Sequence, residues 1–129
     1  MKATDFMVGD YANTSRGIAK VIAVDKIGLT FKIDGGDFDI DRYDEDEWFD
    51  GVYLTEEVLE KIGFVRLKTA MGRVYYEMPL GVASYATHYD DYYCRIIGPR
   101  GKVEYNDVKY LHELQHVFRL LGIEKEITL

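Results

Sequence analysis

Between Leu29 and Asp41 the chain alternates apolar and polar residues on both sides of an Asp34-Gly35-Gly36 break. Successive strand side chains point to opposite faces, so Leu29, Phe31 and Ile33 share one face, as do Phe38 and Ile40. A period of two does not suit a helix, and the glycine pair marks the reversal between two antiparallel strands. The intervening Asp37, Asp39 and Asp41 then fall on the wet face. Upstream, Ile18–Val24 is apolar and rich in β-branched residues, Asp25–Gly28 reads as a turn, and Gly9-Asp10-Tyr11 opens a run of short strands. The first third therefore predicts a small curled, SH3-like β-sheet. That shape is common among interaction modules, and by itself it assigns no activity.

The pattern then changes. From Thr55 to Gly63 the sequence has the ends of a short helix: Thr55 as N-cap, Glu56 and Glu57 at the positive end of the dipole, and Gly63 as the stop. Val58, Leu59 and Ile62 supply its buried face. Strand-like segments follow at Val65–Lys68, Val74–Met78 and Tyr92–Ile97, separated by turn residues. A last helix is expected from about Asp107, capped by Asn106, to Leu121, stopping at Gly122, and Ile123–Leu129 suits an edge strand. These elements predict an α+β fold: an N-terminal SH3-like sheet, a second antiparallel sheet, and two helices at about 55–62 and 107–121. With 129 residues the chain is expected to form a single domain, with subdomains at 1–50 and 51–129.

Charge is concentrated in one place. Residues 34–50 hold nine acidic side chains and one basic, whereas the other 112 residues are close to balanced at +1, within a total of −7. Such a field repels phosphate backbones and anionic membranes and attracts a basic partner. Direct nucleic-acid binding and membrane association are not expected. The candidate partner-binding residues are Asp37, Asp39, Asp41, Asp44, Glu45, Asp46 and Glu47, with Trp48 and Phe49 as apolar anchors among the acids. The same charges could mimic DNA phosphates towards a basic protein. The simpler alternative packs Trp48 and Phe49 under the loop and leaves the acids to keep it solvated.

His112-Glu113-Leu114-Gln115-His116 matches the H-E-x-x-H pattern of zinc peptidases, in which two histidines one turn apart bind the metal and the glutamate activates water. A third ligand is hard to find. One known continuation needs Gly at 119 and His at 122, where this chain has Arg119 and Gly122, and the remaining histidine, His88, lies upstream. At roughly 100° per residue, Tyr110, Leu111, Leu114, Val117, Phe118 and Leu121 form an apolar stripe. His112 then points about 160° from its centre. Both histidines are therefore expected on a wet face with Lys109, Gln115 and Arg119. A zinc hydrolase built on His112 and His116, with Glu113 as base, stays the competing reading, and no cofactor is expected.

Other constellations are weaker. Asp37, Asp39 and Asp41 open like a calcium loop, but Arg42 stands where the turn glycine belongs and Trp48 where the bidentate glutamate belongs. The tyrosine-rich stretch Ser84–Cys94 lacks the interleaved cations that base stacking needs. Cys94, the lone cysteine, excludes an internal disulfide and reads as a small core residue rather than the partner of His88 in a nucleophilic pair. With no secretory h-region near the start, a cytoplasmic location is expected.

Thr55–Phe64, Lys109–His116 and the closing Leu121-Gly122-Ile123-Glu124-Lys125-Glu126 resemble a group of small uncharacterised proteins from phages and mobile elements of gut anaerobic bacteria. Their second helix carries a Tyr-x-His-x-Leu-Gln pattern, matched here by Tyr110, His112, Leu114 and Gln115. Glu113 and His116 lie outside that pattern, so the resemblance implies that H-E-x-x-H arises locally, and it brings no activity with it. The leading expectation is a non-enzymatic accessory protein that binds a basic protein through residues 34–50. A structural component that self-associates is a third reading.

Overall fold

The structure, a computed structural model, describes the chain except residues 71–72, 79–82, 89–90, 106 and 124–126, and describes backbone alone at 68–70, 73, 83–88, 91–92 and 105. It divides into two compact units. Unit 1 comprises Met1–Val52 with Tyr110–His112, and unit 2 comprises Tyr53–Lys109 with Glu113–Leu129.

Unit 1 is built on five antiparallel strands: β1 (Tyr11–Thr14), β2 (Gly17–Val24), β3 (Gly28–Ile33), β4 (Gly36–Asp41) and β5 (Phe49–Gly51). Their order is β4-β3-β2-β1-β5, so the last strand returns beside the first. The Asp34-Gly35 pair joins β3 to β4 with φ of 49° and 82°. Two left-handed residues between paired Ile33 and Gly36 make the primed turn whose twist matches that of the strands. Asp25 shapes the preceding turn, its Oδ1 accepting from the N–H groups of Ile27 (2.8 Å) and Gly28 (3.1 Å). Phe31 of β3 and Phe49 of β5 lie three strand spacings apart in the sheet order, about 14 Å if it were flat. Their ring centroids are 5.9 Å apart. The sheet is therefore strongly curled, and its inner face holds Ala12, Ala19, Val21, Leu29, Phe31 and Ile40, with Ala3 and Phe6 from the N-terminal segment.

In unit 2, α1 (Glu56–Lys61) begins where its cap predicts: the Thr55 hydroxyl accepts from the Val58 N–H at 3.3 Å, and Gly63 stops the helix at φ 111°. Leu59 and Ile62 are buried and Val58 half-buried. A meander follows, with β6 (Val65–Ala70), β7 (Arg73–Glu77), β8 (Ala83–His88), β9 (Asp91–Gly98) and β10 (Gly101–Tyr105) in the order β10-β9-β8-β7-β6. Two of these were not anticipated as separate strands: β8, within the tyrosine-rich stretch, and β10, after the Gly98–Gly101 turn. Cys94 is fully buried in β9, beside Ile96 two residues on. The helix α2 (Leu111–Leu120) follows, its first two residues belonging to unit 1, and Gly98 makes room beyond its end, since a Cβ there would sit 2.8 Å from that of Leu121.

The α+β class holds, and one boundary needs correcting. The second helix starts at Leu111, not near Asp107. Asp107 has φ 64°, outside the right-handed helical region, and the Lys109 carbonyl accepts from the Leu54 N–H at 2.9 Å in an extended arrangement. The expected cap, Asn106, lies outside the described residues. So does the middle of the tail; no strand forms at its described end, Ile127–Leu129, where Ile127 is buried.

Candidate functional site

The acidic segment is ordered by its own hydrogen bonds and by a distant turn. Along β4, Phe38 is half-buried and Ile40 buried, while Asp37 and Asp39 are exposed and Asp41 half-buried, as alternation requires. Extended backbone spaces these three carboxylates by about 7 Å along one face, which suits a row and not a calcium cage. Among the described residues no group of three or more His, Cys, Asp or Glu side chains is placed to hold a metal. Asp39 accepts from the Thr30 hydroxyl at 2.6 Å, and Asp37 lies opposite Lys32 in the ladder.

After β4 the chain turns on Asp41 and Asp44. Asp41 Oδ1 accepts from the Tyr43 N–H, and Asp44 Oδ2 accepts from the Asp41 N–H, both at 2.8 Å. Glu47 is held by Ser15 and Arg16 of the β1–β2 turn: the Ser15 hydroxyl donates at 2.7 Å, and the Arg16 Nε and Nη2 lie 3.1 Å from Oε1. The Ser15 hydrogen bond, with help from Arg16, holds the Glu47 carboxyl below the usual carboxylate range. Two bonds between Ser15 and Trp48 (Ser15 N–H to Trp48 O, 3.0 Å; Trp48 N–H to Ser15 Oγ, 3.2 Å) complete the clamp, and the Arg16 guanidinium lies 4.5 Å from the Phe38 ring centroid. Ser15 and Arg16 were not among the sequence candidates. They lie 32 and 31 residues from Glu47, and nothing in a short polar turn announces such a partner.

The clamp separates the two aromatic anchors. Phe49 turns inward, edge-on to Phe6 at 5.8 Å and against Phe31. Trp48 stays 51 % exposed. It lines a groove of about 540 Å³ together with the apolar side chains of Ile27, Ile40 and Phe49, the acids Asp41, Asp44 and Glu47, and the cations Lys2, Lys26 and Arg42. A half-exposed indole beside apolar side chains and carboxylates can accept an aliphatic-stemmed cation or an apolar side chain.

The histidine helix departs from expectation. Its apolar stripe is right, with Leu111, Leu114, Val117, Phe118 and Leu121 all buried. The wet face is wrong. His112 is only 4 % exposed and Gln115 only 6 % exposed, while His116 and Arg119 are half-buried and Leu120 is exposed. The helix is covered around most of its circumference, so a phase argument that assumed one buried side misplaced the opposite one. His112 packs its imidazole 4.4 Å from the Phe6 ring and 5.6 Å from the Tyr110 ring. Glu113 turns back to the start of the helix, where its Oε1 accepts from the N–H of Lys109, two residues before the first helical residue, at 3.3 Å. His112 thus serves as a core ring and Glu113 as a helix-start acceptor. Of the other readings, the side chain of His88 lies outside the described residues.

No family model matches the chain, and no curated protein or solved structure matches it. Among the described residues no helix is long and apolar enough to cross a membrane.

Proposed function

We propose that the protein is a non-enzymatic accessory module that binds a basic protein through residues 37–49, of the kind mobile elements carry, and that it acts in the cytoplasm. The observation that carries this reading is Trp48: a large indole left half-exposed next to Glu47, which Ser15 and Arg16 hold, and lining a groove with Ile27, Ile40, Asp41 and Asp44. Leaving an indole in water forgoes part of the burial energy a core site would give it, and indoles are among the side chains that most often anchor interfaces. The surrounding acids select a cationic surface and speed its approach. A curled sheet whose fifth strand returns beside its first suits an SH3-like module of this kind.

Affinity capture from host lysate tests the reading with three baits: wild type, Trp48→Ala, and a variant carrying Asp44→Asn, Glu45→Gln and Asp46→Asn. A basic protein held by wild type, and lost with either variant while both stay folded, is the expected result. A partner retained equally by all three removes the acidic segment from the function. A self-associating component, the other non-enzymatic reading, predicts instead a dimer or larger species by light scattering.

A further inference from the structure

We infer that the outer edge of β4 is a docking edge for an extended segment of the basic partner, which adds to the sheet as a further strand with lysine or arginine at alternate positions. The inference rests on the reading of the acidic segment as a protein-binding surface and specifies how part of that surface engages.

The register decides which backbone groups face outward. A two-residue turn makes Ile33 and Gly36 a hydrogen-bonded pair, and such pairs recur at every second position: Phe31 with Phe38, Leu29 with Ile40. The pattern continues past the strand end, where the Arg42 N–H donates to the Ile27 carbonyl at 2.8 Å. The peptide groups of Asp37, Asp39 and Asp41 therefore point away from β3. β4 ends the sheet order, and among the described residues no strand lies beyond it. The outward groups of Asp41 are already used: its N–H donates to Asp44 Oδ2 at 2.8 Å, and its carbonyl accepts from the Asp44 N–H at 3.2 Å. Asp44 closes one end of the edge, leaving the N–H and C=O of Asp37 and Asp39 to an incoming strand.

The side chains choose the occupant. In an added antiparallel strand, the residues exchanging both backbone bonds with Asp37 and Asp39 would place their side chains directly opposite the two carboxylates, on the same face. A second copy of β4 would bring aspartate against aspartate, which is destabilising. Basic residues two positions apart meet opposite charge at both places. Thr30 fixes the Asp39 carboxylate through one oxygen, and Lys32, opposite Asp37, partly balances that end, so Asp39 carries the stronger selection.

The test is a nuclear magnetic resonance titration of the full chain with two synthetic peptides. One alternates lysine with valine or threonine; the other is identical but N-methylated at the lysine amides, which keeps the charge and blocks the ladder. The unmodified peptide is expected to shift the amides of Asp37 and Asp39 and slow their hydrogen exchange, and N-methylation to weaken binding about tenfold or more. Asp37→Asn with Asp39→Asn should weaken the unmodified peptide severalfold, and less so at high salt. Equal binding of both peptides overturns strand addition and leaves charge attraction to the acidic segment intact. Shifts confined to Trp48 and its groove overturn it too, leaving the groove reading intact. Binding by neither peptide overturns strand addition, while the capture experiment with Trp48→Ala judges the broader reading separately.

Discussion

Replacing His112 with alanine should destabilise the protein by about 3 kcal/mol, and the same change at His116 by less than about 1 kcal/mol. The difference follows from placement. The His112 ring is 4 % exposed and packs 4.4 Å from Phe6 and 5.6 Å from Tyr110, all within unit 1. Truncating a buried side chain of this size costs its transfer energy plus a cavity, about 2–4 kcal/mol, and that range already contains the roughly 0.5–1.5 kcal/mol of each ring pair. For a chain of this length, about 3 kcal/mol lowers the melting temperature by roughly 10 °C. Trp48, the only tryptophan, sits in unit 1 and reports its unfolding by fluorescence, while far-ultraviolet circular dichroism follows the whole chain in case the units melt apart. Added zinc should leave both melts unchanged, because a ring packed between Phe6 and Tyr110 is committed to the core. Equal losses for the two alanine variants would refute the placement of His112. A zinc-dependent rise in melting temperature that vanished in His116→Ala would refute its structural role and restore the metal reading.

Three further outcomes follow from named contacts. Glu47 is lowered in the folded state by the Ser15 hydroxyl and Arg16, so its contribution is full above the unfolded carboxyl value and is lost as pH falls through the lower folded value; Trp48 fluorescence should change over that acid window, and the step should be missing in Glu47→Gln. Gly51→Ala would place a Cβ 2.6 Å from Tyr110 Cγ and should cost about 1–3 kcal/mol in chemical denaturation, with an unchanged midpoint counting against the described fit of that ring. Gly35→Ala meets open space but must hold φ +82°, so about 1 kcal/mol of pure backbone cost is expected, whereas Asp34→Asn, suited to the left-handed region, should be close to neutral by the same measurement.

Local order was legible wherever one or a few neighbouring residues carry the physics. Alternation through Leu29–Asp41 gave the β3–β4 hairpin, and the Asp34-Gly35 pair its turn, because strand facing and left-handed φ are properties of the residues themselves. Thr55 and Gly63 bounded α1 for the same reason. The concentration of acids at 34–50 was equally plain, since counting charge needs no coordinates. Even the separation of an inward Ile40 from outward aspartates came from period alone.

Three-dimensional structure decided what depends on a distant partner. That Glu47 is tied by a turn 31 to 32 residues upstream, that Phe49 turns in while Trp48 turns out, and that a groove opens beside them depend on β5 pairing with β1 far from it in sequence. The histidine helix makes the point most sharply. Periodicity correctly found the apolar stripe of α2, yet it had to assume that the opposite side met water, and burial of His112 and Gln115 overturned that assumption. A sequence fixes the angle between two side chains on a helix; what stands opposite each of them is set by other segments of the chain.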